Sequence, residues 1–258
     1  MKYKGRLLSS IPPTANTSGA TAMWLLQDEM QGMQSNTWPG LVTPDPYFSS
    51  VMLLLHGDGS FADSSSKNTS ITLYNSATTS ASTYKFGTGS LNYTASTAYG
   101  ELSNSNFDFG TNDWTIEMWW YHPASIPAYG VIFDVDSSSK FFVGFSPNTT
   151  GLRVYHVSGI DYNPTHSMSA GNWYHLAWVR NGGTVTIYQG GSSIGSVSCT
   201  GYNFSPTSGY NYAYLNTYGL NGRPWYQAGS YVDDFRITKG VARYTSNFTP
   251  PTAAFPNA

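Results

Sequence analysis

The stretch WTIEMWWYH, residues 114–122, decides the fold class. Trp114, Ile116, Met118 and Trp120 alternate with Thr115, Glu117, Trp119 and Tyr121. Side chains of a strand point to opposite faces in turn, so this stretch reads as a strand with one strongly apolar face. WYHLAWVRN behaves the same way: Leu176, Trp178 and Arg180 alternate with His175, Ala177 and Val179. Working outward, VMLLLHGDG, ITLYNSA, KFGTGSLNYT, GVIFDVD, KFFVGFS, GLRVYHV, TVTIYQGG, GSVSCTGY and YVDDFRIT are short, rich in Val, Ile, Thr and aromatics, and bounded by Gly, Asn, Asp, Ser or Pro. Many short strands at close spacing predict an all-β, two-sheet antiparallel jelly-roll sandwich. NGGTVTIYQGG predicts a hairpin arm between two Gly-rich turns.

Composition agrees. The chain has 258 residues, which is ordinary for a single all-β sandwich. Charged residues are 10% of it, against about 25% in a typical soluble domain, while aromatics are 16%. Disordered chains lack aromatics, so the low charge describes a polar Ser/Thr/Asn/Tyr surface. A net charge of −2 gives no electrostatic case for nucleic acid or an anionic membrane. One cysteine, Cys199, excludes an intrachain disulfide and a cysteine zinc site, and reads as a small buried side chain. The start MKYKGRLLSSIPPT has no apolar core of the kind a secretory signal needs. The longest apolar run, VMLLL, is far too short to span a bilayer. The expectation is a protein made in a cytoplasm without an export signal.

Residues 1–45 differ from the rest. IPPTANTSG reads as an extended arm, because two prolines oppose helix and the small polar residues offer no core. The segment that follows carries Met23, Leu26, Met30 and Met33 at helical spacing, with Trp24 widening the stripe and Trp38 beside the Pro39–Gly40 stop. So short an amphipathic helix must bury its stripe somewhere. It either packs on residues 46–258 or docks into another protein.

Five segments occur in order: LLLHGDGSFADSSS, FGTGSLNYTASTAYGEL, FDFGTNDWTIEMWWY, GNWYHLAWVRNGG and YVDDFRITKGVARYTSNFTPPTAAFP. Together they resemble the laminin G-like branch of the concanavalin A-like lectin/glucanase superfamily, over roughly residues 46–256. The last segment is similar to modules of tailed-phage structural proteins, and the helix ending in TWPG to short elements of marine-phage virion proteins. The resemblance implies that residues 51–56 pair with residues 231–238. It also implies that Phe248, Pro250, Pro251 and Phe255 form a strap over the domain's edge. Such a fold hosts lectins, glycosidases and adhesion modules alike.

Three site readings follow. Asp58 and Asp63 bracket a turn beside the strand that carries Asp233 and Asp234, which makes a calcium nest of hard oxygen ligands. The competing reading is that these carboxylates make local turns, or pair with Arg236 or Arg243. Alternation would put Asp233 and Asp234 on opposite faces. For hydrolysis, the glucanases of this superfamily carry Glu-x-Asp-x-(x)-Glu on one strand. Glu occurs here only at Glu29, Glu101 and Glu117, so that signature is absent; Asp134 and Asp136, i and i+2, are the nearest substitute and read as a solvated turn. His175 reads as a satisfied, half-buried residue. Finally, Tyr202, Tyr210, Tyr212, Tyr214, Tyr218, Trp225 and Tyr226 crowd one region. Aromatic faces with hydroxyls suit glycan or protein contact, unless the alternate tyrosines of NYAYLN point into the core.

The expectation is a non-enzymatic virion structural protein of a bacteriophage: a capsid decoration, fibre or tail adhesion module. Residues 1–45 would dock it to other virion proteins, as a homo-oligomer, and the sandwich would face a host-surface or environmental glycan. A free carbohydrate-binding lectin is the alternative, and a glycoside hydrolase stands third.

Overall fold

Trp114, Ile116, Met118 and Trp120 all point into one core, as their alternation requires, and each is fully buried. They lie on β6 (Trp114–Tyr121), the centre of an eight-stranded antiparallel sheet. The computed structural model describes residues 44–258 other than 96, 104–106, 126–129, 137–139, 147–149, 209–211 and 218–229. Pro46–Asn257 forms one compact unit. The amphipathic stripe of Met23, Trp24, Leu26, Met30, Met33 and Trp38 lies outside the described residues. Among those residues the one named helical element is the 3-10 turn Phe48–Ser50, and no helix is long and apolar enough to cross a membrane.

Strands are numbered in chain order. The larger sheet runs β13 (Ser192–Ser198), β12 (Thr184–Gln189), β11 (Trp173–Asn181), β6, β15 (Ser230–Lys239), β4 (Ser90–Tyr93) and β3 (Thr78–Ser80). β1 (Val51–Leu55) also pairs with β15. The smaller sheet runs β10 (Ile160–Tyr162), β9 (Leu152–His156), β8 (Phe141–Phe145), β7 (Val131–Asp134), β14 (Tyr212–Leu215), β5 (Tyr99–Ser103) and β2 (Ile71–Tyr74). The inner faces of the two sheets meet in one cluster that includes Trp120, Trp178, Phe133, Phe145 and Phe235. This is the expected two-sheet sandwich. The expected hairpin arm is β12, with Gly182 and Gly183 at its start both in the left-handed region, as a tight two-residue turn requires.

Residues 51–55 do pair with the last strand, Leu55 opposite Phe235 and Val51 opposite Thr238. β15 is long enough to hold β6 along one side while β4 and β1 share the other. At the handover the alternation breaks. Val232 and Phe235 both enter the core, so two residues rather than one lie between them. The β15–β6 register shifts there, and Asp234 takes φ +47°. Asp233 and Asp234 therefore do not sit on opposite faces as simple alternation implied. This bulge spends both carboxylates on neighbouring loops.

The strap expected at the domain's edge lies instead across the outer face of the larger sheet. Phe248 stacks on Tyr244, ring centroids 3.5 Å apart, and packs against Ala177, Val179 and Tyr188. Phe255 covers Val51 and Leu54. Phe248 N–H donates to Gly191 O at 2.9 Å. A side chain at Gly191 would overlap the Phe248 carbonyl, so glycine is needed where the strap crosses.

Candidate functional site

Under the strap lies a charge cluster that the sequence did not announce. Glu117 is fully buried on the outer face of β6. Its Oε1 accepts from Arg236 Nε at 3.0 Å and Nη2 at 2.8 Å; its Oε2 accepts from Tyr244 Oη at 2.7 Å and His175 Nε2 at 3.2 Å. Burial alone would raise this carboxyl, but the Arg236 charge, the His175 hydrogen bond and charge, and Arg243 hold it well below the usual carboxylate range. His175 is not half-buried as expected. It is fully enclosed, and its Nδ1 has no hydrogen-bond partner.

The four carboxylates of the calcium reading do not form one nest. Asp58 Oδ1 accepts from Thr88 N–H at 2.5 Å and Gly89 N–H at 2.9 Å. Asp63 accepts from the N–H groups of Leu54, Ser65 and Thr69. Asp233 Oδ2 accepts from Lys85 N–H at 2.6 Å and Phe86 N–H at 3.0 Å. Asp234 accepts from Phe255 N–H at 2.7 Å and lies 2.5 Å from His56 Nδ1. Each carboxylate thus pins a loop or the strap to a strand. Among the described residues no group of three His, Cys, Asp or Glu is placed to hold a metal ion. Asp134 and Asp136 are buried and committed in the same way: Asp134 accepts from Asp136 N–H, and Asp136 from Lys140 and Thr207 N–H.

Among the tyrosines, Ala213 and Leu215 enter the core, so Tyr212 and Tyr214 occupy the outer face of β14. Tyr212 is exposed. Tyr214 is buried opposite Asp134 and Glu101, and burial followed by those two carboxylates pushes its phenol up. Tyr210, Tyr218, Trp225 and Tyr226 lie outside the described residues.

Tyr202 does line a cleft, of about 330 Å³, with Lys140, His156, Ser158, Thr200, Gly201 and Asn203. Three separate segments build it. Lys140 leads into β8, His156 ends β9, and residues 199–204 follow β13. Val157 N–H donates to Lys140 O at 2.9 Å, closing the β8–β9 end. Phe204 anchors the third segment in the core, with its N–H on Gly110 O at 2.8 Å. His156 joins the pieces: its Nε2–H donates to Asn203 O at 2.9 Å and its Nδ1 accepts from Ser158 N–H at 3.2 Å. A ring with one donor and one acceptor nitrogen is neutral. Burial pulls it below its ordinary value, the Asn203 carbonyl opposes, and Lys140 adds to the fall. The Tyr202 ring stands edge-on to it at 5.1 Å, and Tyr202 is half-buried. The cleft therefore presents a fixed phenol, a cation, hydroxyls and an amide around a volume at the lower end of small-ligand sites. Of its residues only Tyr202 was legible beforehand. Residues far apart in sequence with no shared motif carry no spacing signal. A second, enclosed gap in the core beside Tyr93 and Trp120 has about 10 Å³, room for roughly one water.

The family model described as concanavalin A-like lectin/glucanases superfamily, laminin G type, matches residues 92–243. The chain belongs to this family. No curated protein matches it. Among solved structures it is similar to the binding domain of Paraclostridial Mosquitocidal Protein 1, with TM-score 0.59 and 15% identity, over 75% of this chain and 49% of that one. Domain 4 of AbnA, an extracellular GH43 arabinanase of Geobacillus stearothermophilus in complex with arabinotriose, matches with TM-score 0.55 and 17% identity, over 74% and 93%. The binding domain of Botulinum Neurotoxin DC in complex with SialylT matches with TM-score 0.52 and 14% identity, over 74% and 48%. The chain thus spans about half the length of the two toxin domains. At these identities the likeness establishes the shared fold.

Proposed function

We propose that this chain is a non-enzymatic adhesion module of a bacteriophage particle, and that its sandwich binds a surface glycan in the Tyr202 cleft. The carrying observation is the cleft itself: a half-exposed aromatic ring held by a neutral, fully partnered histidine, ringed by hydroxyl and amide groups. None of the described residues lining it is a carboxylate, whereas glycoside hydrolysis ordinarily needs two. The arabinanase domain and the neurotoxin domain, both solved with saccharides, support a binding use of the fold. The tailed-phage resemblance of residues 231–256 and the amphipathic stripe of residues 23–38 support the particle. In this reading the stripe docks the module to other virion proteins as a homo-oligomer.

Two measurements test it. Sedimentation of native source material with mass spectrometry places the chain in the heavy fraction at fixed stoichiometry; recovery only in the light fraction removes the virion role and favours a free lectin. A glycan array with the full chain and Tyr202→Ala yields ligands lost in the variant. An array without ligands, or ligands indifferent to Tyr202, overturns the cleft.

A further inference from the structure

The strap covers only part of the outer face of the larger sheet. Beyond it, one row of directly opposed residues crosses five strands: Trp173 on β11, Tyr121 on β6, Tyr231 on β15, Asn92 on β4 and Thr78 on β3. All five share the outer face, since their neighbours Tyr174, Trp120, Val232 and Leu91 pack in the core. Tyr121 contacts Trp173 edge-to-face at 5.5 Å and Tyr231 at 5.8 Å. The three rings are half-buried and Thr78 is exposed. At about 4.8 Å per strand the row is roughly 19 Å long.

The adjoining row, toward the strap, is His175, Trp119 and Asp233, again directly opposed. All three are buried, and each has one polar atom without a partner: His175 Nδ1, Trp119 Nε1 and Asp233 Oδ1. Buried polar atoms without partners are rare in folded proteins and call for an explanation. Lys85 Nζ sits 4.3 Å over the Trp119 ring, a long side chain capping that member of the row.

We propose that this row is a second binding site, for an extended neutral polysaccharide lying across the strands. Aromatic rings spaced along a line give stacking faces for successive sugar rings, and Tyr hydroxyls, Asn92 and Thr78 give hydrogen bonds at their edges. The row carries no charged side chain, so an uncharged chain loses least on entering it. Its length fits several rings rather than one. In the adjoining row, the unpaired indole N–H of Trp119, beneath Lys85, matches the acceptor character of a sugar hydroxyl. This inference takes its ligand class from the proposed glycan binding, but it names a different face of the molecule.

The test is affinity electrophoresis of the full chain through arabinan, mixed-linkage β-glucan and mannan, with alginate as the acidic control. The unmodified chain is retarded by at least one neutral polymer and not by alginate. The Trp173→Ala/Tyr231→Ala variant loses about tenfold in affinity, and Tyr74→Ala, an exposed ring on the other sheet and outside both sites, stays within about twofold on the same polymer. Hydroxyl-radical footprinting of the unmodified chain, which needs no variant to fold, shows Trp173, Tyr121 and Tyr231 protected by that polymer. Unchanged retardation of the double variant, or no protection of those rings, overturns the proposal. Loss confined to Tyr202→Ala overturns it while the cleft reading stands. Absence of any neutral-polymer binding beside array ligands does the same, and absence of both removes both.

Discussion

The outer face of the larger sheet has two halves built from the same strands. Under the strap, β6, β11 and β15 present Glu117, His175 and Arg236, sealed by Tyr244, Phe248 and Phe255. A few residues further along, the same strands present Trp173, Tyr121 and Tyr231, half open. The difference teaches what a covering segment demands. A charge enclosed by the strap must be paired, because an enclosed ion without partners is very costly. An uncovered aromatic must be tolerated by water, and gains its value from what it can stack on.

The largest expected effect breaks the covered half. Glu117→Ala removes the carboxylate from the Arg236 guanidinium and costs about 3–5 kcal/mol of stability in urea unfolding. A smaller loss would show that the strap opens and water enters. Phe248→Ala comes next: the ring covers Ala177, Val179 and Tyr188 but is itself half-buried, so roughly 2 kcal/mol is expected. Limited proteolysis should then cut between residues 240 and 258 before the sandwich unfolds.

The third prediction uses the boundary between the halves. Burial pushes Asp233 up to about 6, against the Phe86 and Lys85 N–H bonds that lower it, and Asp234 adds to the rise. A carboxyl whose folded value exceeds its unfolded value of 3.8 stabilises most below pH 4. That contribution is lost as pH rises toward 6, opposite to the usual salt-bridged aspartate. His56 works in the same sense: burial lowers it, but the Asp234 and Asn257 contacts raise it overall above 6.5, so its contribution is lost as pH rises through its folded value. Melting temperature against pH should show both falls, and Asp233→Asn should remove the lower one. A flat profile in the parent between pH 4 and 6 would contradict the assignment. The smallest effect sharpens the open half. Tyr231→Ala should shift stability by only about 0.5 kcal/mol, because a partly exposed side chain away from the core contributes little. A loss as large as that of Phe248→Ala would mean that the open row is structural.

How far the sequence carries can be judged residue by residue. Trp114 through Trp120 revealed the core face of β6 through period-two alternation, and the pairing of residues 51–55 with β15 was legible through the family's pattern. The same alternation misplaced Asp233 and Asp234, because a bulge inserts a residue without any compositional mark. It was silent on Glu117, whose partners lie on β11, on β15 and in the strap. It showed Tyr202, but not that Lys140, Ser158 and Asn203 would meet it.

The sequence by itself determined the sandwich, since alternation and turn residues act between neighbours in the chain. Only the tertiary structure decided which outer faces are covered, which charges are enclosed and which aromatic rings form a row. Those outcomes depend on the register between strands far apart in sequence and on the path of the last residues over them, and neither is written in local pattern.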